Sequence, residues 1–133
     1  NRIFLPAGKA SFLWVNVDDI GKAIAAVLRD VAVHSHNAYT ITGKEHFNFY
    51  EVARMLSDSL GRKINYESPN LLRFYRIKRK EGVKPAFIWV MMALHYLPRW
   101  QKPPAISDDF EKITGDEPQK LSDFVAVHKK LWQ

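Results

Sequence analysis

Residues 11–17, "SFLWVNV", are almost continuously apolar, and "DDIGKAIAAVLRD" follows with almost no room for a connecting loop. A strand that is apolar at successive positions is covered on both faces, the pattern of a parallel sheet packed between helices. The helix beginning directly after it makes the chain α/β. Asp19 reads as the cap of that helix, since a short acidic side chain accepts bonds from the first free N–H groups. Ile20, Ala23, Ile24, Val27 and Leu28 then form one apolar stripe at helical spacing. Asn16 is an amide within the apolar run and needs partners, from the fold or from a ligand. A strand, a tight acidic turn and a helix N-terminus can together make a nucleotide site. Residues 14–30 are therefore either such a site or the scaffold of one whose working parts lie elsewhere.

The rest of the chain extends the alternation. "AYTITG" (38–43) reads as a second short strand. "NFYE" (48–51) is a capping box, with Asn48 as N-cap and Glu51 three residues on, and the helix it opens runs to Gly61. "KINYES" (63–68) alternates as a half-buried strand does. Helices follow. Asn70 caps one that ends near Gly82, Pro85 opens the next, "SDDFEKITG" (107–115) is short and capped, and Ser122 begins the last. The order is β-α-β-α-β and then four helices. Three strands make a small sheet with open edges, which is a liability in isolation. The sheet predicts neighbours that the chain does not supply, and the absence of a starting methionine points the same way: the sequence reads as a piece of something longer.

Composition narrows the function classes. There is no cysteine, which removes disulfides and thiolate metal sites and favours a reducing, cytoplasmic setting. "AFIWVMMALHYL" (86–97) is too short to span a bilayer, and no signal-peptide stretch is seen, so no membrane is expected. The net charge of +6 comes entirely from residues 62–84, where eight basic and two acidic side chains lie. Within it, "RFYRIKRKEG" interleaves Arg73, Arg76, Arg79 and Lys80 with Phe74, Tyr75 and Ile77, as a nucleic-acid surface can. A solvated helix whose long stems cover an apolar stripe has the same pattern, and that is the expectation here. "HSH" (34–36) has metal-ligand spacing, yet no third His or Cys lies near it, so it reads as a surface turn and no metal is expected. His95 reads as a packed histidine, and none of the serines stands in a G-x-S-x-G elbow.

The runs "PAGKASFLWVNVDDIGKAIAAVL", "AYTITGKEHFNFYEVARMLSDSLGRKINYESP", "EGVKPAFIWVMMALHYL" and "ISDDFEKITGDEPQKLSDFVAVHKK", in this order and spacing, resemble the C-terminal half of NmrA-like atypical short-chain dehydrogenases. That family includes NAD(P)H-dependent quinone and azo reductases and NADP-sensing regulators. The resemblance covers essentially the whole chain. It implies that residues 1–69 are the C-terminal strands and helices of a Rossmann-type domain and residues 70–133 a small helical, substrate-side subdomain. The family's phosphate-cradling turn has no counterpart: the glycines stand at 8, 21, 43, 61, 82 and 115, too far apart for G-x-G-x-x-G, and no Tyr-x-x-x-Lys pair occurs. Residues 14–30 are then a late strand and helix, not the nucleotide turn.

The resemblance thus assigns this chain no catalytic, cofactor-binding or metal-binding residue. NAD(P) is implied for a full-length parent and none for this chain alone, which is expected to be inert. Helices from this region cover the substrate crevice in such folds. Trp89, Met92, Tyr96 and Trp100 are implied to line a flat, aromatic-tolerant pocket, and Phe4, Pro6 and Gly8 to lie in the loop nearest substrate. The implied function is the substrate side of an oxidoreductase acting on a small carbonyl, quinone or similar acceptor. The alternative is an NAD(P)-sensing regulator or a protein- or nucleic-acid-binding module using residues 62–84. The expected partners are a missing N-terminal Rossmann segment or a second copy of the chain, and a small-molecule substrate.

Overall fold

A computed structural model describes residues 1–132. Four short strands and seven α-helices follow one another: β1 (Arg2–Phe4), β2 (Ser11–Leu13), α1 (Val17–Arg29), α2 (Val31–His34), β3 (His46–Asn48), α3 (Phe49–Leu60), β4 (Asn65–Glu67), α4 (Leu71–Lys80), α5 (Pro85–Tyr96), α6 (Asp109–Thr114) and α7 (Leu121–Val127). The architecture is mixed α/β, and the strands form two two-stranded sheets, β1 with β4 and β2 with β3. The chain divides into two compact units. One holds Asn1–Phe12 and Phe47–Pro103, the other Leu13–His46 and the chain from Pro104 on.

In the first unit β1 and β4 are parallel, with Ile3 opposite Tyr66 and Phe4 opposite Glu67. The chain between them runs through β2, α1, α2, β3 and α3, and the capping box at the start of α3 is complete. Asn48 Oδ1 accepts the N–H groups of Tyr50 and Glu51 at 2.9 and 3.1 Å, and Glu51 Oε2 accepts that of Asn48 at 2.8 Å. Ser57 near the helix end donates to Ala53 O and accepts the Ile64 N–H at 2.9 Å, which fixes the exit toward β4. Asn70 caps α4 through the Arg73 N–H at 2.8 Å. The core is Phe4, Phe74, Ile88 and Met92, joined by Leu71, Tyr75, Ile77 and Met91. Phe4 stacks on Phe74 at 5.8 Å.

The second unit departs from two expectations. Residues 38–43 are not a strand. The Thr40 N–H donates to Asp109 Oδ2 at 2.9 Å, and the Thr42 hydroxyl bonds both backbone groups of Ser107, so this stretch is satisfied by the turn before α6 rather than by a ladder. The strand expected over 11–17 ends at Leu13, because Asn16, not Asp19, caps α1 by accepting the Asp18 N–H. Asp19 lies inside the helix, 1% exposed. Its carboxylate accepts the Gln119 N–H at 2.7 Å, and Asn16 bonds the Gln119 side chain. Lys44 adds an ion pair to Glu111 at 2.5 Å. The stripe on α1 is real but only Ala23 is buried; Ile24 and Leu28 are exposed. The same holds for α5, where Ile88 and Met92 are buried while Phe87, Trp89, Val90 and Leu94 are exposed, so that helix is not the all-round core element its composition suggests.

Candidate functional site

In the first unit, the turn after β1 folds back on itself, with Ala10 N–H donating to Ala7 O at 3.0 Å. Gly8 sits in this turn at φ +55°, in the left-handed region that disfavours a side chain. Its N–H donates to Ser68 Oγ, just after β4, at 2.9 Å. A Cβ at position 8 would stand 2.7 Å from Arg99 Nε, so a guanidinium occupies the space a side chain would need. Arg99 lies in the 3-10 turn Leu97–Trp100 that closes α5, and its guanidinium is held over the rings of Tyr96 at 4.9 Å and Trp100 at 5.9 Å.

Around this contact opens a polar cavity of about 550 Å³, lined by Gly8, Lys9 and Ala10 from the turn, Tyr50 from the first turn of α3, Ser68, and Arg99 with Trp100. Its volume suits a small organic molecule. Two cationic side chains and no carboxylate line it. Tyr66 stands behind the wall, its hydroxyl donating to Leu5 O at 3.0 Å and its ring edge-on to Tyr50 at 4.7 Å. Burial pushes the Tyr66 phenol above its ordinary value, against the lowering effect of its bonds to Ser68 and the Ala7 backbone.

The seven residues implied by the sequence do not form one site. Gly8 and Trp100 line the polar cavity, and Tyr96 packs edge-on against Trp100 at 4.7 Å. Trp89 and Met92 line a separate apolar recess of about 330 Å³ with Leu71, Leu72 and Tyr75. Phe4 and Pro6 are buried. The sequence does not mark Lys9, Tyr50, Ser68 and Arg99 as neighbours. No spacing ties them together, and Arg99, a lone cation between Pro98 and Trp100, carries no motif.

Other sequence features take structural places. His95 Nδ1 donates to Met91 O at 2.7 Å within α5 and its ring lies 6.0 Å from Phe49, a packed histidine. On α4, Arg73 pairs with Glu67 and lies over Phe4, Lys78 pairs with Glu81 at 2.7 Å and lies over Phe74, and Arg79 donates to Val83 O at 3.2 Å. Of these, Lys78 covers an apolar residue of its own helix, Phe74, while Arg73 reaches over to β1. No helix among the described residues is long and apolar enough to cross a membrane.

No protein-family model matches the chain. It is 25% identical over 132 residues to the uncharacterized oxidoreductase YesF of Bacillus subtilis, covering 98% of this chain and 46% of that protein. It is 26% identical over 133 residues to festuclavine dehydrogenase easG of Aspergillus fumigatus, covering 99% and 46%. Among solved structures, the Citrobacter sp. triphenylmethane reductase complexed with NADP(H) superposes with a TM-score of 0.80 at 22% identity, over 93% of this chain and 43% of that one. The chain thus spans about half the length of the curated relatives it matches. Its fold is that of the C-terminal part of NAD(P)-binding reductases, the region on which the resemblance to NmrA-like proteins rests.

Proposed function

We propose, for a chain with the fold of the C-terminal part of an NmrA-like reductase, that it forms the acceptor side of an NAD(P)-dependent oxidoreductase. The parent enzyme transfers hydride from a nicotinamide to a small carbonyl, quinone or similar acceptor. The observation that carries this reading is the polar cavity beside Gly8: it has the size of a small-molecule site, an aromatic wall in Trp100 that Tyr96 backs, and lining residues drawn from four separate segments. Trp89 and Met92 offer a second, apolar surface in the same unit for a hydrophobic substituent, and Phe4 and Pro6 are buried in the chain leading to the Gly8 turn.

In this reading NAD(P) supplies the hydride and is held by the Gly-rich half of the full-length parent. A pyrophosphate needs backbone N–H groups gathered at a glycine turn and a helix N-terminus. The glycines of this chain are dispersed and one N-terminus, that of α1, is occupied by Asn16. This chain's own residues bind and orient the acceptor, and without the cofactor half it is inert. Residues 1–69 complete the Rossmann-type domain and 70–133 make the substrate-side subdomain. The exposed apolar faces of α1 and α5 fit burial against the N-terminal Rossmann segment. The nucleic-acid reading has less support, because Arg73, Lys78 and Arg79 are already engaged within the chain.

The test is a titration of menadione into the chain, followed by tryptophan fluorescence, beside Trp100→Phe. A saturable quench that is lost in the variant is expected. Quenching that stays linear in quinone, or that saturates equally in Trp100→Phe, contradicts an acceptor site at this position.

A further inference from the structure

Resting on the acceptor-site reading above, we propose that the cavity beside Gly8 recognises an oxyanion on its ligand, so that the acceptor is an anionic aromatic molecule bearing a carboxylate, sulfonate or phosphate. Both charged side chains lining the cavity, Lys9 and Arg99, are cationic. Neither enters an ion pair among the described residues, whereas Arg2, Lys22, Lys44, Arg73, Lys78 and Lys112 each do. Both residues are exposed, and two like charges on the rim of one concave surface add to a positive potential there, which draws in an anion.

Arg99 is also held in place. Its guanidinium lies over Tyr96 and Trp100, and against the bare backbone of Gly8, where any Cβ would stand 2.7 Å from Nε. A guanidinium offers in-plane N–H groups for a two-pronged bond to an oxyanion, and the contacts with Tyr96, Trp100 and Gly8 reduce the side-chain freedom it loses on binding. Glycine at position 8 therefore does two things: it permits the left-handed turn and it makes room for the cation. Lys9, the next residue, brings a second cationic side chain to the lining, and Tyr50 lines the cavity as well. The exposed ring of Trp100 supplies the flat surface for the aromatic part of the ligand. The charges thus select the substituent while the ring selects the body of the acceptor.

The experiment compares two probes of the same ring system, naphthoquinone sulfonate and the uncharged menadione, by calorimetric titration of the chain at low and at physiological salt. The absence of cysteine removes thiol addition to the quinone as a competing signal. The sulfonate should bind about tenfold tighter at low salt, with the advantage shrinking as salt rises. Arg99→Gln should cost the sulfonate about tenfold while leaving menadione within about twofold. Lys9→Gln, at an exposed position, should remove a smaller part of the same advantage without disturbing the stacked guanidinium. Equal binding of both probes, or equal loss of both in Arg99→Gln, overturns the anion inference and leaves the acceptor site standing. Binding of neither probe at millimolar concentration removes the acceptor site itself.

Discussion

The buried carboxylate of Asp19 accepts the backbone N–H of Gln119 at 2.7 Å, joining α1 to a segment a hundred residues further along the chain. Lys22, one turn on, stands 3.4 Å from the other oxygen. Removing the carboxylate leaves the Gln119 N–H without its acceptor in a buried setting. Asp19→Ala should therefore lower unfolding free energy by about 2–3 kcal/mol, while Asp19→Asn, which keeps an acceptor oxygen, should cost about 1 kcal/mol. Urea denaturation of both variants separates the hydrogen bond from the charge. Equal losses would show that the charge, not the bond to Gln119, is what matters.

Gly43 and Gly21 make an opposed pair. A Cβ at Gly43 would lie 1.8 Å from Trp14 O, a backbone atom that cannot swing away. Gly21 is in α1 with nothing within 4 Å of its missing Cβ. Gly43→Ala should destabilise by about 3 kcal/mol or more, from enforced backbone displacement. Gly21→Ala should stabilise by about 0.5–1 kcal/mol, since alanine loses less freedom than glycine on entering a helix. The two midpoints in the same denaturant series check both signs.

Tyr66 should make stability fall on the alkaline side. Burial favours its neutral phenol, so the folded chain holds that proton more tightly than the unfolded chain does. The resulting stabilisation is complete below the ordinary tyrosine value of 10.0 and is lost as pH rises through the higher folded value. Subtracting the Tyr66→Phe profile from wild type between pH 8 and 11 isolates this contribution from that of other groups. A flat difference above pH 10 would contradict it. At neutral pH the same variant should lose about 1 kcal/mol for the bond to Leu5 O.

What the sequence made legible is what local chemistry decides. The capping box at Asn48 and Glu51, the cap at Asn70, Pro85 at a first helical turn and the helix stops near Gly61 and Gly115 all depend on neighbours a few residues away, and all stand in the structure. Asp19 read as a cap because a short acid at a helix start has that chemistry, yet its partner comes from residue 119. Residues 38–43 have the composition of a strand, but Asp109 and Ser107 compete successfully for their backbone groups. The cavity was hidden for the same reason: Gly8, Tyr50, Ser68 and Arg99 meet only through the parallel pairing of β1 with β4 and the fold of α5. The family resemblance points to Gly8 and Trp100, and both line the cavity; Lys9 and Arg99 line it too, with no local sign in the sequence.

In the proposed function this chain carries the acceptor side of a reductase and not its nucleotide side, and a thermal melt tests both halves at once. A ligand that binds the folded state alone must raise the melting temperature, in proportion to the logarithm of its excess over Kd. Menadione and naphthoquinone sulfonate, titrated into the chain, should each produce a saturable rise, the sulfonate at lower concentration. NADH and NADPH, taken to millimolar levels, should leave the melt unmoved. A saturable rise with either nucleotide and none with either quinone would contradict the account.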